Sequence, residues 1–197
     1  YQIKIKNNSP ASSVAQILLE VEKILIKEKP DAFIVLGDTN SCLSAYVAKR
    51  NKIPIFHFEA GNRSYDENVP EEINRKIIDH ISDINFTYSE NSKQNLIREG
   101  LNPEFVFNIG SPMFEVLNYY SDKINKSKIL DKLNLKKNKY IVVSTHREEN
   151  LQNREKFENF IKNIFKIAKK LDLEVVFSTH PRTRKLINRI KIKIKKN

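Results

Sequence analysis

The chain is built on one repeating theme: a short apolar run, a polar exit, then a stretch whose apolar residues recur at helical spacing. The runs "AFIVLG", "IPIFHFE", "INFTYS" and "FVFNIG" read as four strands, and "YIVVST" and "EVVFST" as two more further along. Between them lie amphipathic helical stretches. In residues 11–29, Val14, Ile17, Leu18, Val21, Ile24 and Leu25 fall on one side, with Ser9 and Pro10 as cap and first turn. "SCLSAYVAKRN" reads as a helix, as does "PEEINRKIIDHIS", where Pro70 suits the first turn and Ile73, Ile77 and Ile81 share a face. "ENSKQNLIREG", closed by Gly100, "SPMFEVLNYY", "NREKFENFIKNIFKIAKKL" and "TRKLINRIKIK" complete the set. Strands this uniformly apolar are expected to be buried on both faces, as in a parallel sheet covered by helices.

The rhythm breaks over the polar, lysine-rich residues 119–137. The expected organisation is therefore two units, 1–118 and 119–197. The first has at least four strands. The second has two, too few for a doubly wound sheet. The expectation is that both domains are incomplete, the first lacking its opening strands and the second truncated, so that apolar surface normally covered by helices stands exposed.

Charge follows the same division. Residues 1–118 hold 13 Lys/Arg against 16 Asp/Glu, a net of −3, and residues 119–197 hold 22 against 8, a net of +14. A nucleic-acid surface usually interleaves such charge with stacking aromatics or a recognisable module. Neither is evident here, so a solvated lysine-rich surface is the expectation and nucleic acid is not an expected partner. One cysteine, Cys42, supports no intramolecular disulfide framework. No apolar run approaches the roughly 18 residues a membrane helix needs, so no membrane association is expected.

In open parallel sheets ligands bind at the carboxyl ends of the strands. Those ends hold the unusual residues: Gly37-Asp38-Thr39-Asn40 after the first strand, then His57, Glu59, Gly61 and Arg63, and Gly110-Ser111-Pro112 after the fourth. In the second unit come Thr145-His146-Arg147-Glu148-Glu149-Asn150 and His180-Pro181-Arg182-Thr183-Arg184. Three of the four histidines and three of the four glycines lie at these exits. Ordinary structural roles account for single members. Asp38 could cap the following helix, Glu71 and Glu72 could complement a helix dipole, and Glu71 with Arg75 could form an i, i+4 pair. His80, inside a helix, reads as structural. Convergence of carboxylates from one unit with His and Arg groups from the other is what points to chemistry.

No GxxxxGK[ST] or GxGxxG occurs, which argues against a P-loop enzyme or a fingerprint dehydrogenase. His57 and Glu59 lack a second His or Cys cluster, so no metal site is expected. Cys42 lies within a helical pattern with no base beside it.

In order and spacing, "GDTNS", "HFEAGNRS", "PEEINRKIIDHISD", "GSPMFEVL", "STHREEN" and "STHPRTR" resemble the non-hydrolysing UDP-N-acetylglucosamine 2-epimerases along essentially the whole chain. "EAGNR" with "GSPMFEVL" is similar to the subgroup that forms UDP-N-acetyl-L-fucosamine. The resemblance implies two Rossmann-like domains facing across a cleft, as in B-type glycosyltransferases. It implies C2 epimerisation of a UDP-2-acetamido sugar without a cofactor, by elimination and re-addition of UDP, in cell-surface polysaccharide precursor synthesis. It makes Asp38, Glu59 and Glu71 the essential acids and His146 the essential histidine of the opposing domain. It also makes Arg75, Arg147 and Arg182 candidates for neutralising the diphosphate or orienting the acids, and Gly110 and Ser111 candidates for offering backbone N–H groups to a phosphate. A cytoplasmic location and a homodimer at full length are further implications. The family's opening glycine-and-arginine phosphate loop and its later Ser-Gly-Gly-(x)-Glu-Glu region have no counterpart in this sequence. Two other readings stand beside the enzyme: an inactive, truncated nucleotide-sugar-binding fragment, and a basic nucleic-acid-binding module using residues 119–197.

Overall fold

A computed structural model of the protein describes residues 1–6, 9–145 and 154–179, together with 184 and 187. His146, Arg147, His180, Arg182 and most of the expected last helix lie outside the described residues. The chain divides into two compact units, Tyr1–Asn118 and Tyr119–Asn197.

The first unit opens with α1 (Pro10–Glu28), whose start is set by its sequence: the Ser9 side chain accepts from the Ser12 N–H at 3.1 Å and Pro10 occupies the first turn. Then follow β1 (Phe33–Leu36), a 3₁₀ turn (Asn40–Ser44) running into α2 (Ala45–Arg50), β2 (Ile55–Ala60), α3 (Pro70–Ile81), β3 (Ile84–Thr87), α4 (Glu90–Arg98), β4 (Val106–Asn108) and α5 (Met113–Tyr119). The four strands pair in parallel in the order β1-β2-β3-β4. Every strand exit therefore lies on one edge of the sheet.

That order explains a departure from the expected burial. Right-handed crossovers place every connecting helix on one face when the strand order never reverses. On that face Val35 and Ile55 pack with Leu25 of α1, Ala45 and Ala48 of α2 and Ile78 of α3, while Val106 packs with Leu96 of α4. Full burial of a side chain such as Ile55 or Ile78 contributes about 1.5–3 kcal/mol. The other face is apolar but open. Ile34 and Leu36 are 68% and 69% exposed, and beside them run Phe56, Phe58, Phe86 and Phe107 in register, with ring centroids 4.6 Å apart for Phe58–Phe86 and 6.0 Å for Phe86–Phe107. The strands are thus buried on one face rather than two.

A second departure concerns α3. Ile73 and Ile77 point outward, 52% and 42% exposed, and the buried face carries Glu72, Asn74 and Asp79 beside Ile78. Polar groups are buried only with partners, and these find theirs at the strand exits.

The second unit holds α6 (Ser121–Asn125), α7 (Ile129–Lys132), β5 (Tyr140–Ser144), α8 (Arg154–Leu171) and β6 (Glu174–Ser178). β5 and β6 pair in parallel from Tyr140↔Glu174 to Ser144↔Ser178, and Phe157 and Ile161 of α8 are buried with Ile187 and against Phe177. Lys136, Lys137 and Lys139 face solvent. Among the described residues no helix is long and apolar enough to cross a membrane.

Candidate active site

The site grows from the exits of β1 and β2. Gly37, at φ 74°, turns the chain out of β1 and is followed by Asp38. Asp38 does not cap the next helix. Thr39 precedes the 3₁₀ turn, and no side chain makes the capping bond. Instead Asp38 accepts from Arg75 Nε at 2.5 Å, and Arg75 Nη1 also reaches Glu72 Oε2 at 3.3 Å. Asn74 donates to the Asp38 carbonyl at 2.8 Å. The first strand exit is thereby fastened to α3 through both side chain and backbone.

At the second exit, Glu59 sits in the left-handed region at φ 71°, where the β2–β3 register shifts between Phe58 and Ala60. A non-glycine residue there costs on the order of 1–3 kcal/mol, so the surroundings must enforce it. Its carboxylate reaches across to the first exit: Glu59 Oε2 lies 3.5 Å from where a Gly37 Cβ would stand. Glu59 and Asp38 are therefore neighbours on one edge.

The enforcement is visible on either side of Glu59. Two residues before it, buried His57 places Nδ1 2.9 Å from Asp79 Oδ1 and Nε2 3.1 Å from the Gly37 carbonyl. Both ring nitrogens thus face oxygens, one on α3 and one at the exit of β1. Two residues after it, Gly61 donates its N–H to the Asp79 carboxylate at 3.3 Å and accepts from Asn95 Nδ2 at 3.0 Å. Glycine is required there twice over: φ is 76°, and an added Cβ would stand 2.2 Å from the Ser92 carbonyl oxygen of α4.

Arg63 closes the cluster. Its Nη1 donates to Asp79 Oδ2 at 2.7 Å, while Nε and Nη2 form a fork on Glu99 at 2.7 and 2.6 Å. Burial works against its charge, but Glu99 and Asp79 outweigh that and hold the guanidinium protonated beyond its ordinary range. The Arg63 fork, followed by opposing burial, holds Glu99 below the usual carboxylate range. Glu72 is also held low. Burial alone would raise it, but the Ser64 N–H and hydroxyl, the Tyr65 N–H and Arg75 prevail.

Glu71 is exposed in the first turn of α3, on the helix that carries Arg75. Tyr88, at the exit of β3, was not singled out by sequence, because its strand ends without glycine or charge. Burial, followed by the charge of Glu59, pushes its hydroxyl pKa upward. Tyr88 and Phe58 line a small pocket of about 160 Å³ with Gly110 and Ser111. The Gly110 N–H, one of the expected phosphate donors, points to Asn108 Oδ1 at 3.3 Å, and Ser111 Oγ accepts from the Met113 N–H at 3.3 Å. The structure thus brings Asp38, Glu59 and Arg75 together and gathers Gly110 and Ser111 around Tyr88. His57 and Arg63, which also looked like exit residues, are buried and tied to Asp79. His80 is a surface residue bonded to Glu99 at 3.1 Å.

Among the described residues no cluster of three or more His, Cys, Asp or Glu side chains is arranged to hold a metal ion. Cys42 is buried, and desolvation, with Asp38 and Asp79 adding to it, pushes its thiol up to about 12, which leaves it inert at neutral pH.

A family model described as UDP-N-acetylglucosamine 2-epimerase matches residues 1–197. A UDP-N-acetylglucosamine 2-epimerase homolog of Methanococcus maripaludis is 42% identical over 98% of this chain and 53% of its own length. The solved structure of UDP-N-acetylglucosamine 2-epimerase from Rickettsia bellii superposes with a TM-score of 0.85 at 48% identity, over 97% of this chain and 50% of that one. That of Methanocaldococcus jannaschii UDP-GlcNAc 2-epimerase in complex with UDP-GlcNAc and UDP gives 0.84 at 37% identity, over 96% and 53%. The chain spans about half the length of these relatives.

Proposed function

This chain belongs to the UDP-N-acetylglucosamine 2-epimerase family, and from that premise we propose that its strand-exit edge is the acid–base half of a site inverting C2 of a UDP-2-acetamido sugar. The observation that supports this most directly is the pairing of Asp38 and Glu59. Two carboxylates from successive strands stand on one edge, one clasped by Arg75 and the other on strained backbone.

In the proposed reaction a carboxylate takes the C2 proton as the C1–O bond to UDP breaks. The electron pair of the C–H bond becomes the C1=C2 double bond of a glycal-type intermediate. UDP then re-forms the C1–O bond while a second acid returns a proton to the opposite face of C2. No step oxidises or reduces the sugar, so the proposed steps call for no redox cofactor. Each positioned acid or base contributes about 10²–10⁴-fold. Asp38, Glu59 and Glu71 are the candidate proton carriers. Gly110, Ser111 and Tyr88 form the adjoining pocket available to the substrate. His146, Arg147 and Arg182 are proposed on sequence alone as groups that meet the departing diphosphate.

The test is proton exchange. In deuterated water with UDP-N-acetylglucosamine, the protein should place deuterium at C2, seen by NMR as loss of the C2–H signal. No deuterium at C2 with any UDP-2-acetamido sugar refutes the proposal for this chain.

A further inference from the structure

We propose that Asp79 is a positioning residue that holds Glu59 in its left-handed conformation and sets its spacing from Asp38. The inference rests on reading Glu59 and Asp38 as the reacting carboxylates, but its first test does not.

Asp79 is fully buried on α3. Its two oxygens meet three groups that bracket Glu59: Gly61 N–H and Arg63 Nη1 on the chain just after it, and His57 Nδ1 on the strand just before it. His57 then passes the constraint on, because its other nitrogen bonds to the carbonyl of Gly37, next to Asp38. Asn85, the cross-strand neighbour of His57, donates to the Asp79 backbone carbonyl at 3.0 Å and anchors the helix from β3. A surface carboxylate in the last turn of α3 would gain nothing from the helix dipole. A buried one that grips both flanks of a strained residue fixes that residue's φ. Misplacement by about 1 Å costs on the order of 10²-fold in rate, so a few such bonds matter for catalysis.

The experiment is Asp79→Asn on the full chain, which keeps the shape but replaces one acceptor oxygen with a donor. The first readout is the intraresidue HN–Hα cross-peak of Glu59, which is strong only when φ is positive. It should weaken in the variant, with faster exchange of the Gly61 amide. The second is C2 exchange, where kcat should fall about 10–100-fold with KM within about twofold of the parent. A folded variant with the Glu59 cross-peak unchanged overturns the proposal whatever its Tm, because Asp79 then serves stability alone. If Asp79→Asn does not fold, His57→Gln disturbs the ties to Asp79 and to the Gly37 carbonyl while leaving those of Gly61 and Arg63, and the same cross-peak decides. A parent without C2 exchange refutes the epimerase reading while leaving the first readout intact.

Discussion

Arg75 donates from Nε to the carboxylate of Asp38 at 2.5 Å, joining the third helix to the exit of the first strand across 37 residues of sequence. The same guanidinium touches Glu72, so one side chain ties a buried acid to a half-buried one. A lysine offers a point charge on a flexible stem rather than a planar fork, so it cannot fix the geometry between the two acids. Arg75→Lys should therefore lower C2 exchange by about 10²-fold while changing stability by less than about 1 kcal/mol, since the pair is partly solvated. Exchange kinetics beside a urea titration check this, and unaltered kinetics would remove Arg75 from the site.

Gly61 packs its α-carbon against the backbone of α4. Gly61→Ala must relieve both a positive φ and a 2.2 Å approach to the Ser92 carbonyl, neither of which a rotamer change can cure. The expected cost is about 2–4 kcal/mol, read as a lower urea midpoint. By contrast, an alanine at Gly110 meets no atom within 4 Å, so its only cost is the φ of 77°, about 1–2 kcal/mol.

Glu72 and Glu99 have folded-state pKa values below the ordinary value of 4.5. Between the two values the unfolded chain binds more protons, so stability rises with pH across that window. The contribution is full above the unfolded value and is lost as pH falls through the lowered folded values. The urea midpoint should therefore drop as pH is taken from about 5 toward 3. Glu72→Gln should be less stable by about 1–3 kcal/mol at neutral pH and show a shallower acid dependence. A parallel acid profile for the variant would contradict the role given to Glu72.

The open sheet face makes an opposite prediction. Ile34 is 68% exposed on β1, so Ile34→Lys should change unfolding free energy by no more than about 0.5 kcal/mol. A loss above about 2 kcal/mol would mean that this face is covered.

Much of the fold was legible because it rests on local rules. The Ser9–Pro10 helix start, the six strands and the division near residue 118 follow from capping chemistry, apolar runs and a composition break, which neighbouring residues decide among themselves. The motif "HFEAGNRS" likewise located an edge where carboxylates gather. What sequence could not decide was who touches whom. The spacing of Ile73, Ile77 and Ile81 suggested an apolar inner face for α3, yet the helix turns Glu72, Asn74 and Asp79 inward, because the exits of β1 and β2 present N–H, N⁺–H and carbonyl groups that those side chains satisfy. The sorting of His57 and Arg63 away from Asp38 and Glu59 and into the grip of Asp79 depends on contacts 16–22 residues apart in sequence. Side-chain identity and spacing determined that these strands would exit on one edge with charge upon it. Only the tertiary structure decided which of those charges are buried to hold the backbone and which are left facing outward, because that choice depends on the distances that packing sets.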